Sequence, residues 1–198
     1  MRYGMTINKN RCVACHACTV ACLQKNGNAP GNFFSKVNIN EIGKYPGVQL
    51  DYVPVLCNQC SVPKCVGVCM TGASQLLENG IIIIDQELCE GCGACRDACP
   101  YGARIEIVKT PWFPGQEPMA MEAKLSTLQQ EGKTGKCDFC LDLLEAGGEP
   151  ACVHTCVGQA RTFGDLEDPN SEVSKLIKAN GAVGLFFAEG TEPNVYYY

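Results

Sequence analysis

The sequence predicts an α+β fold built from two small modules of short helices and short strands, and three observations predict it. Sixteen cysteines in 198 residues fall into four groups whose spacings repeat along the chain. Each group holds a Cys-x3-Cys interval that fits one helical turn. Between the second and third groups, Asn79-Gly80 separates two β-prone runs, a strong hairpin signal.

Two repeat types alternate. The first runs from Ile7 through Cys12, Cys15 and Cys18 to Cys22, and recurs from Ile84 through Cys89, Cys92 and Cys95 to Cys99 with identical cysteine offsets. The second opens with a Cys-x2-Cys pair, Cys57/Cys60 or Cys137/Cys140, and closes with a Cys-x3-Cys pair, Cys65/Cys69 or Cys152/Cys156. Helical turns are therefore expected at Cys18/Cys22, Cys65/Cys69, Cys95/Cys99 and Cys152/Cys156, with Pro100 stopping the third. Residues 109–135 break the repeat. They carry Pro111, Pro114 and Pro118 around Trp112-Phe113, then an amphipathic stretch over 119–128, and read as an insertion. Beyond Phe163 there is no cysteine; Asn170 or Ser171 is placed to cap a short helix through Lys178, and 183–187 is strand-like.

A formal charge of −5 leaves no basic footprint for nucleic acid. No run of eighteen apolar residues and no charged leader with an apolar core occurs, so neither a membrane span nor a signal peptide is expected. That argues against secretion through an oxidising pathway and so against a disulfide framework, though not against export together with a partner.

The spacing instead matches iron–sulfur chemistry. A [4Fe–4S] cube needs four thiolates at four corners, and a Cys-x2-Cys-x2-Cys loop wraps three of them. In the bacterial run Cys-x2-Cys-x2-Cys-x3-Cys-Pro the last cysteine serves the other cluster, and Cys89 to Cys99 with Pro100 matches that run. The rule yields four ligand sets: Cys57, Cys60, Cys65 with Cys99; Cys89, Cys92, Cys95 with Cys69; Cys12, Cys15, Cys18 with Cys156; and Cys137, Cys140, Cys152 with Cys22. Four clusters use all sixteen cysteines. Structural zinc is disfavoured, because a third cysteine two residues beyond a Cys-x2-Cys pair has no place in its tetrahedral site. His16 and His154 sit inside cysteine motifs, where a histidine tunes a cluster or, more commonly, is a polar neighbour. Trp112 and Phe113 read as loop packing or a docking surface. No nucleophile with its base, phosphate-cradling loop or flavin site is present, so catalytic residues are expected to be none.

With this order established, the sequence resembles the four-cluster, ferredoxin-like electron-transfer (beta) subunits of the molybdopterin oxidoreductase, or dimethyl sulfoxide reductase, family, as in polysulfide, thiosulfate and respiratory arsenate reductases. Further carriers of the resemblance are Cys57-Asn58-Gln59-Cys60, Cys99-Pro100-Tyr101-Gly102-Ala103-Arg104, Lys136-Cys137-Asp138-Phe139-Cys140, Pro150-Ala151-Cys152-Val153 and a tail ending Gly190-Thr191-Glu192-Pro193-Asn194-Val195-Tyr196-Tyr197. The tail is expected to have no cluster function. The sequence departs from the family pattern at Ala14, where glycine is common, and at Leu23, Met70 and Val157, where proline is common.

The resemblance implies two bacterial-ferredoxin-like two-cluster modules with pseudo-twofold symmetry. Their segments would be 1–56 packing with 136–164, a central module at 57–108, the insertion 109–135 and a C-terminal extension 165–198. It also implies a large molybdopterin or tungstopterin catalytic subunit as partner, a membrane quinone-binding subunit in some complexes, and periplasmic residence by co-export slightly ahead of a cytoplasmic one. The competing reading is a free polyferredoxin, or a wire in a hydrogenase or aldehyde oxidoreductase. A permanently docked wire should expose an apolar patch, expected on the insertion and the tail.

Overall fold

The computed structural model describes residues 1–110, 115, 119–125, 129–185 and 189–198. The chain starts in strand β1 (Tyr3–Ile7) and a 3-10 turn (Lys9–Arg11), then enters helix α1 (Ala17–Asn26). Helix α1 outruns its predicted single turn and stops at Gly27, whose left-handed backbone (φ +61°) directs its N–H to Leu23 O. The other three cysteine turns are short: α2 (Lys64–Gly67), α3 (Ala94–Asp97) and α6 (Ala151–His154). Helix α1 packs on α6, and α2 on α3.

Strands β2 (Ser35–Ile42) and β3 (Gln49–Leu56) form a long antiparallel ribbon that pairs Ser35 with Leu56 at its base. Only the base is buried. Ile39, Ile42, Tyr45, Val48 and Leu50 are exposed towards the tip, so the ribbon carries an apolar surface of the kind the sequence places on the insertion and tail. Trp112-Phe113 and Phe186-Phe187 lie outside the described residues. The predicted hairpin is present as β4 (Ser74–Leu76) and β5 (Ile82–Ile84), and its turn holds Gly80 at φ +80° with the Ile81 N–H donating to Asn79 Oδ1 at 3.0 Å. Strands β6 (Ile105–Glu106) and β7 (Thr134–Gly135) pair across the base of the insertion, within which α4 covers Ala120–Leu125. Helix α5 (Leu141–Glu145) follows the fourth cysteine pair.

The tail does more than extend the chain. Strand β8 (Arg161–Asp165) runs antiparallel to β1, while β10 (Val195–Tyr197) runs parallel to it and β9 (Val183–Gly184) pairs with β10, giving the order β8-β1-β10-β9. Both chain ends thus close one sheet. Helix α7 (Glu172–Asn180), capped by Ser171 Oγ accepting from Ser174 N–H, packs on β1 and β8. Met5, Ile7, Val173 and Val195 are fully enclosed between these layers, each worth about 1.5–3 kcal/mol of burial. No helix among the described residues is long and apolar enough to cross a membrane.

Candidate metal centres

The cysteine loops curl tightly before each helical turn. Left-handed residues make the bends: Ala14 (φ +51°), His16 (φ +59°), Gly91 (φ +72°) and Gly93 (φ +83°) in the two first-type loops, and Gln59 (φ +45°) and Phe139 (φ +57°) inside the Cys-x2-Cys pairs. The repeated sequence produces repeated cavities. Cys12, Cys15, Cys18 and Cys156 line one; Cys69, Cys89, Cys92 and Cys95 line another. In both, one cysteine is exposed (Cys15, Cys92), one is buried (Cys18, Cys95) and two are half-buried.

The remaining eight cysteines gather more deeply. Burial pushes the Cys60 thiol up to about 12, and Cys57, Cys65 and Cys99 add to that electrostatically. Burial likewise pushes Cys22 up to about 12, with Cys152 and Cys140 beside it, and Cys140 to about 11; Cys137 is raised well above the ordinary thiol range by burial, then by Cys22 and Cys152. Of these eight only Cys99 is half-buried. The two deep groups adjoin, since Cys57 also acts on Cys137, and the fully buried Gln59 donates through Nε2 to Cys137 O at 2.7 Å.

The donors suit a cluster. Thiols buried this deeply stay protonated at neutral pH unless a cationic core offsets the cost of the thiolate. A single zinc ion would need its sulfurs about 2.3 Å from one centre. Among the described residues no three ligand-type side chains converge so closely, and the two outer sets line cavities. A wide surface groove lined by Lys25, Leu143, Glu149 and His154 holds no cysteine. His16 and His154 are both exposed, and His154 Nδ1 lies 3.1 Å from Glu149.

Three features of these centres escape the cysteine pattern. Arg161, 5 % exposed, places Nη1 at 3.6 Å from Cys152 Sγ and Nη2 at 3.6 Å from Cys18 Sγ, and donates to Ser35 Oγ at 3.2 Å. Arg104, 4 % exposed, donates from Nη1 to Ser74 Oγ at 2.6 Å, and Cys65, Cys57 and Cys95 surround it electrostatically. Their signal was available: each follows an alanine and stands five residues after the last cysteine of its group, Cys99 or Cys156. The third is the tail. The Asn194 side chain donates to Gln59 O at 2.6 Å, Asn194 N–H donates to Asn58 O, the carbonyls of Thr191 and Glu192 accept from Val62 and Ser61, and the Thr191 hydroxyl bonds Cys60. The tail therefore lies directly over the Cys57–Cys60 loop.

A family model described as a 4Fe–4S dicluster domain matches residues 48–111 and 123–166. The chain is 38% identical to a selenate reductase subunit of Mesobacillus selenatarsenatis, over 100% of this chain and 72% of that one. It is 35% identical to the arsenate respiratory reductase iron–sulfur subunit of Shewanella sp., over 100% and 96%. With a tetrathionate reductase subunit of Salmonella typhimurium the identity is 36%, over 99% and 72%. The chain belongs to the 4Fe–4S dicluster domain family, as an electron-transfer iron–sulfur (beta) subunit of the dimethyl sulfoxide reductase, or molybdopterin oxidoreductase, family, and its cofactors are four [4Fe–4S] clusters.

Proposed function

We propose that the four thiolate sets lie in one row and that this row carries electrons between a pterin-containing catalytic subunit and a second redox partner. The outer sets are Cys12/Cys15/Cys18/Cys156 and Cys69/Cys89/Cys92/Cys95; the inner sets are Cys22/Cys137/Cys140/Cys152 and Cys57/Cys60/Cys65/Cys99. The observation that carries this reading is adjacency. Arg161 touches sulfurs of the first outer and first inner set, Gln59 and Cys57 join the two inner sets, and Arg104 lies between the second inner and second outer set.

When bound, each [4Fe–4S] cluster supplies one-electron acceptance and release over a wide range of potentials, roughly −700 to +450 mV. The protein holds the sulfurs, excludes water from the inner sets and donates hydrogen bonds to thiolates. Ser74 N–H reaches Cys69 Sγ at 3.3 Å, Ala160 N–H reaches Cys156 Sγ at 3.2 Å and Phe139 N–H reaches Cys137 Sγ at 3.4 Å. Such bonds favour the more negative, reduced state. The exposed Cys15 and Cys92 make the two outer sets the places where electrons enter and leave.

Two related modules make up this row. One is formed by 1–56 with 136–164 and the other by 57–108, with 109–135 an insertion and 165–198 an extension that covers both. Matching helix pairs, α1 with α6 and α2 with α3, and the matching outer cavities support that division. The catalytic partner carries a molybdopterin or tungstopterin, a membrane quinone-binding subunit completes the complex where electrons come from quinols, and residence is periplasmic through co-export. The exposed apolar tip of the β2–β3 ribbon suits a permanent partner.

Metal analysis of the anaerobically purified native complex tests this. About sixteen iron and as many sulfide per copy of this chain, with a large subunit carrying molybdenum or tungsten, are expected. Full iron without a partner subunit would make the chain a free carrier, and zinc without sulfide would overturn the cluster assignment.

A further inference from the structure

We propose that Arg104 and Arg161 are positioning residues that act as paired charge bridges, each raising the reduction potentials of one outer and one inner cluster together. The inference rests on the thiolate sets proposed above and goes beyond them. It starts from an imbalance of charge. Both guanidinium groups are almost wholly buried, yet neither has a carboxylate partner among the described residues. A buried cation without an anion is strongly destabilising, so such groups are found paired.

Around Arg161 the neighbours are sulfurs and hydroxyls: Cys18 and Cys152 at 3.6 Å each, Met5 Sδ at 3.8 Å and Ser35 Oγ at 3.2 Å. Arg104 Nη1 donates to Ser74 Oγ, and its other buried nitrogens, Nε and Nη2, have no oxygen acceptor; the groups that face the guanidinium are the thiols of Cys65 and Cys95, one from each neighbouring set. What lies beside both is a set of thiolates from two neighbouring clusters, and an all-thiolate [4Fe–4S]²⁺ centre carries a formal charge of about −2. The missing anion is the cluster pair.

The correspondence between the two arginines is an independent argument. Each stands five residues after the last cysteine of its group, each follows alanine, and each donates to a serine hydroxyl from the other half of its module, Ser35 for Arg161 and Ser74 for Arg104. A planar fork holds donors towards two sulfur groups in fixed directions, whereas an ammonium is a point charge on a flexible stem. One fixed positive charge then serves two clusters. Reduction adds one negative charge to a cluster, and a nearby permanent cation in a low-dielectric interior stabilises that added charge.

The test is an EPR-monitored redox titration of the native complex carrying single variants. In Arg161→Gln two of the four midpoint potentials should fall, with the oxidised-to-reduced ratio at a fixed poise rising at least tenfold, about 59 mV for a one-electron couple. In Arg104→Gln the other two should fall. Arg161→Lys and Arg104→Lys keep the charge on a single flexible stem, so the two potentials of the affected pair should shift unequally and by less than in the glutamine variant, while the other pair stays in place. These lysine variants test the bridge even if the glutamine forms fail to assemble. Four unmoved potentials with iron content intact, or all four moving alike in both variants, overturn the bridge while leaving the thiolate sets standing. Those sets fail separately, by loss of iron stoichiometry in the wild-type complex.

Discussion

The outer and inner thiolate sets have the same donors and differ in what covers them. The outer sets are only partly covered, by their own loops with Val37 and Pro54 of the ribbon at one end and Thr134 at the other, so Cys15 and Cys92 reach solvent and apolar residues beside them stand in the open: Val13 and Val157 at one end, Met70 and Leu88 at the other. The inner sets are covered by other parts of the chain. Phe139, Gln59 and the tail residues Thr191 and Asn194, all at or below 1 % exposure, enclose them. Ligand identity does not separate an entry point from a relay; the source of the covering residues does. A loop left open to solvent makes an outer site, and covering by the tail and the neighbouring cysteine loop makes an inner one.

The largest effect should come from removing one ligand of each kind. Cys22→Ser alters a buried side chain on α1 at the packed α1–α6 contact, so it should remove about four iron and also abolish incorporation into the complex. Cys15→Ser alters an exposed loop position and should cost at most the same iron while the circular dichroism spectrum and assembly persist. Iron assay with size-exclusion chromatography compares them. Equal collapse in both would break the distinction between outer and inner sites.

Iron release sharpens the same comparison without mutation. Under a ferrous chelator with mild oxidant, attack begins at accessible sulfur. About half of the iron should leave in a fast phase, from the two outer sets, and half should follow only as the fold opens. A single phase matching the loss of ellipticity would mean that exposure of Cys15 and Cys92 confers no access.

The division between local and long-range also explains what was legible in the sequence. The α+β class, the four-fold cysteine repeat, the β4–β5 hairpin and the capped helix α7 are written in short windows: Asn79-Gly80, the Cys-x3-Cys intervals, Ser171 before Glu172. The sheet that joins β1 to β10 is not, because Met5 pairs with Val195 across the whole chain and the other neighbour of β1, strand β8, is as remote in sequence. The β2–β3 ribbon is half-solvated and lacks a cysteine, so no motif flagged it. Arg104 and Arg161 stand at matching offsets from Cys99 and Cys156, but only folding shows that each comes between two sulfur groups. A tail without cysteine reads as an appendage, and only its tertiary contacts with Asn58 and Gln59 reveal it as a cover.

A core substitution measures how much the inner covering is worth. Phe139 is fully buried, and its ring meets Phe163 edge-on at 5.2 Å between centroids. Phe139→Ala should cost about 3–5 kcal/mol, a fall of about 2–4 °C in melting temperature per kcal/mol for a chain this long. Val157→Ala, at 74 % exposure beside Cys156, should stay within about 0.5 kcal/mol. Similar losses at the two positions, read by anaerobic thermal melts, would remove the energetic basis of the comparison.

The smallest effect compares the two outer sites with each other. Ala14 and Gly91 occupy the same place in the repeat and both adopt left-handed backbone, at φ +51° and +72°. At Gly91 a Cβ would lie 2.3 Å from the backbone oxygen of Gly132, so Gly91→Ala meets both a rigid obstacle and the left-handed penalty, together about 2 kcal/mol or more. At Ala14 the side chain is already accommodated, partly buried against the core, and carries the backbone penalty of roughly 1–2 kcal/mol. Ala14→Gly relieves that penalty but gives the unfolded chain more freedom, which takes back roughly 0.4–1 kcal/mol. The net gain should be about 0.5–1 kcal/mol, seen as a small rise in melting temperature with the iron content unchanged. A destabilised Ala14→Gly would mean that the alanine methyl contributes packing at the Cys12–Cys18 loop that outweighs its strain, and that the two outer sites differ in more than the residue at this turn.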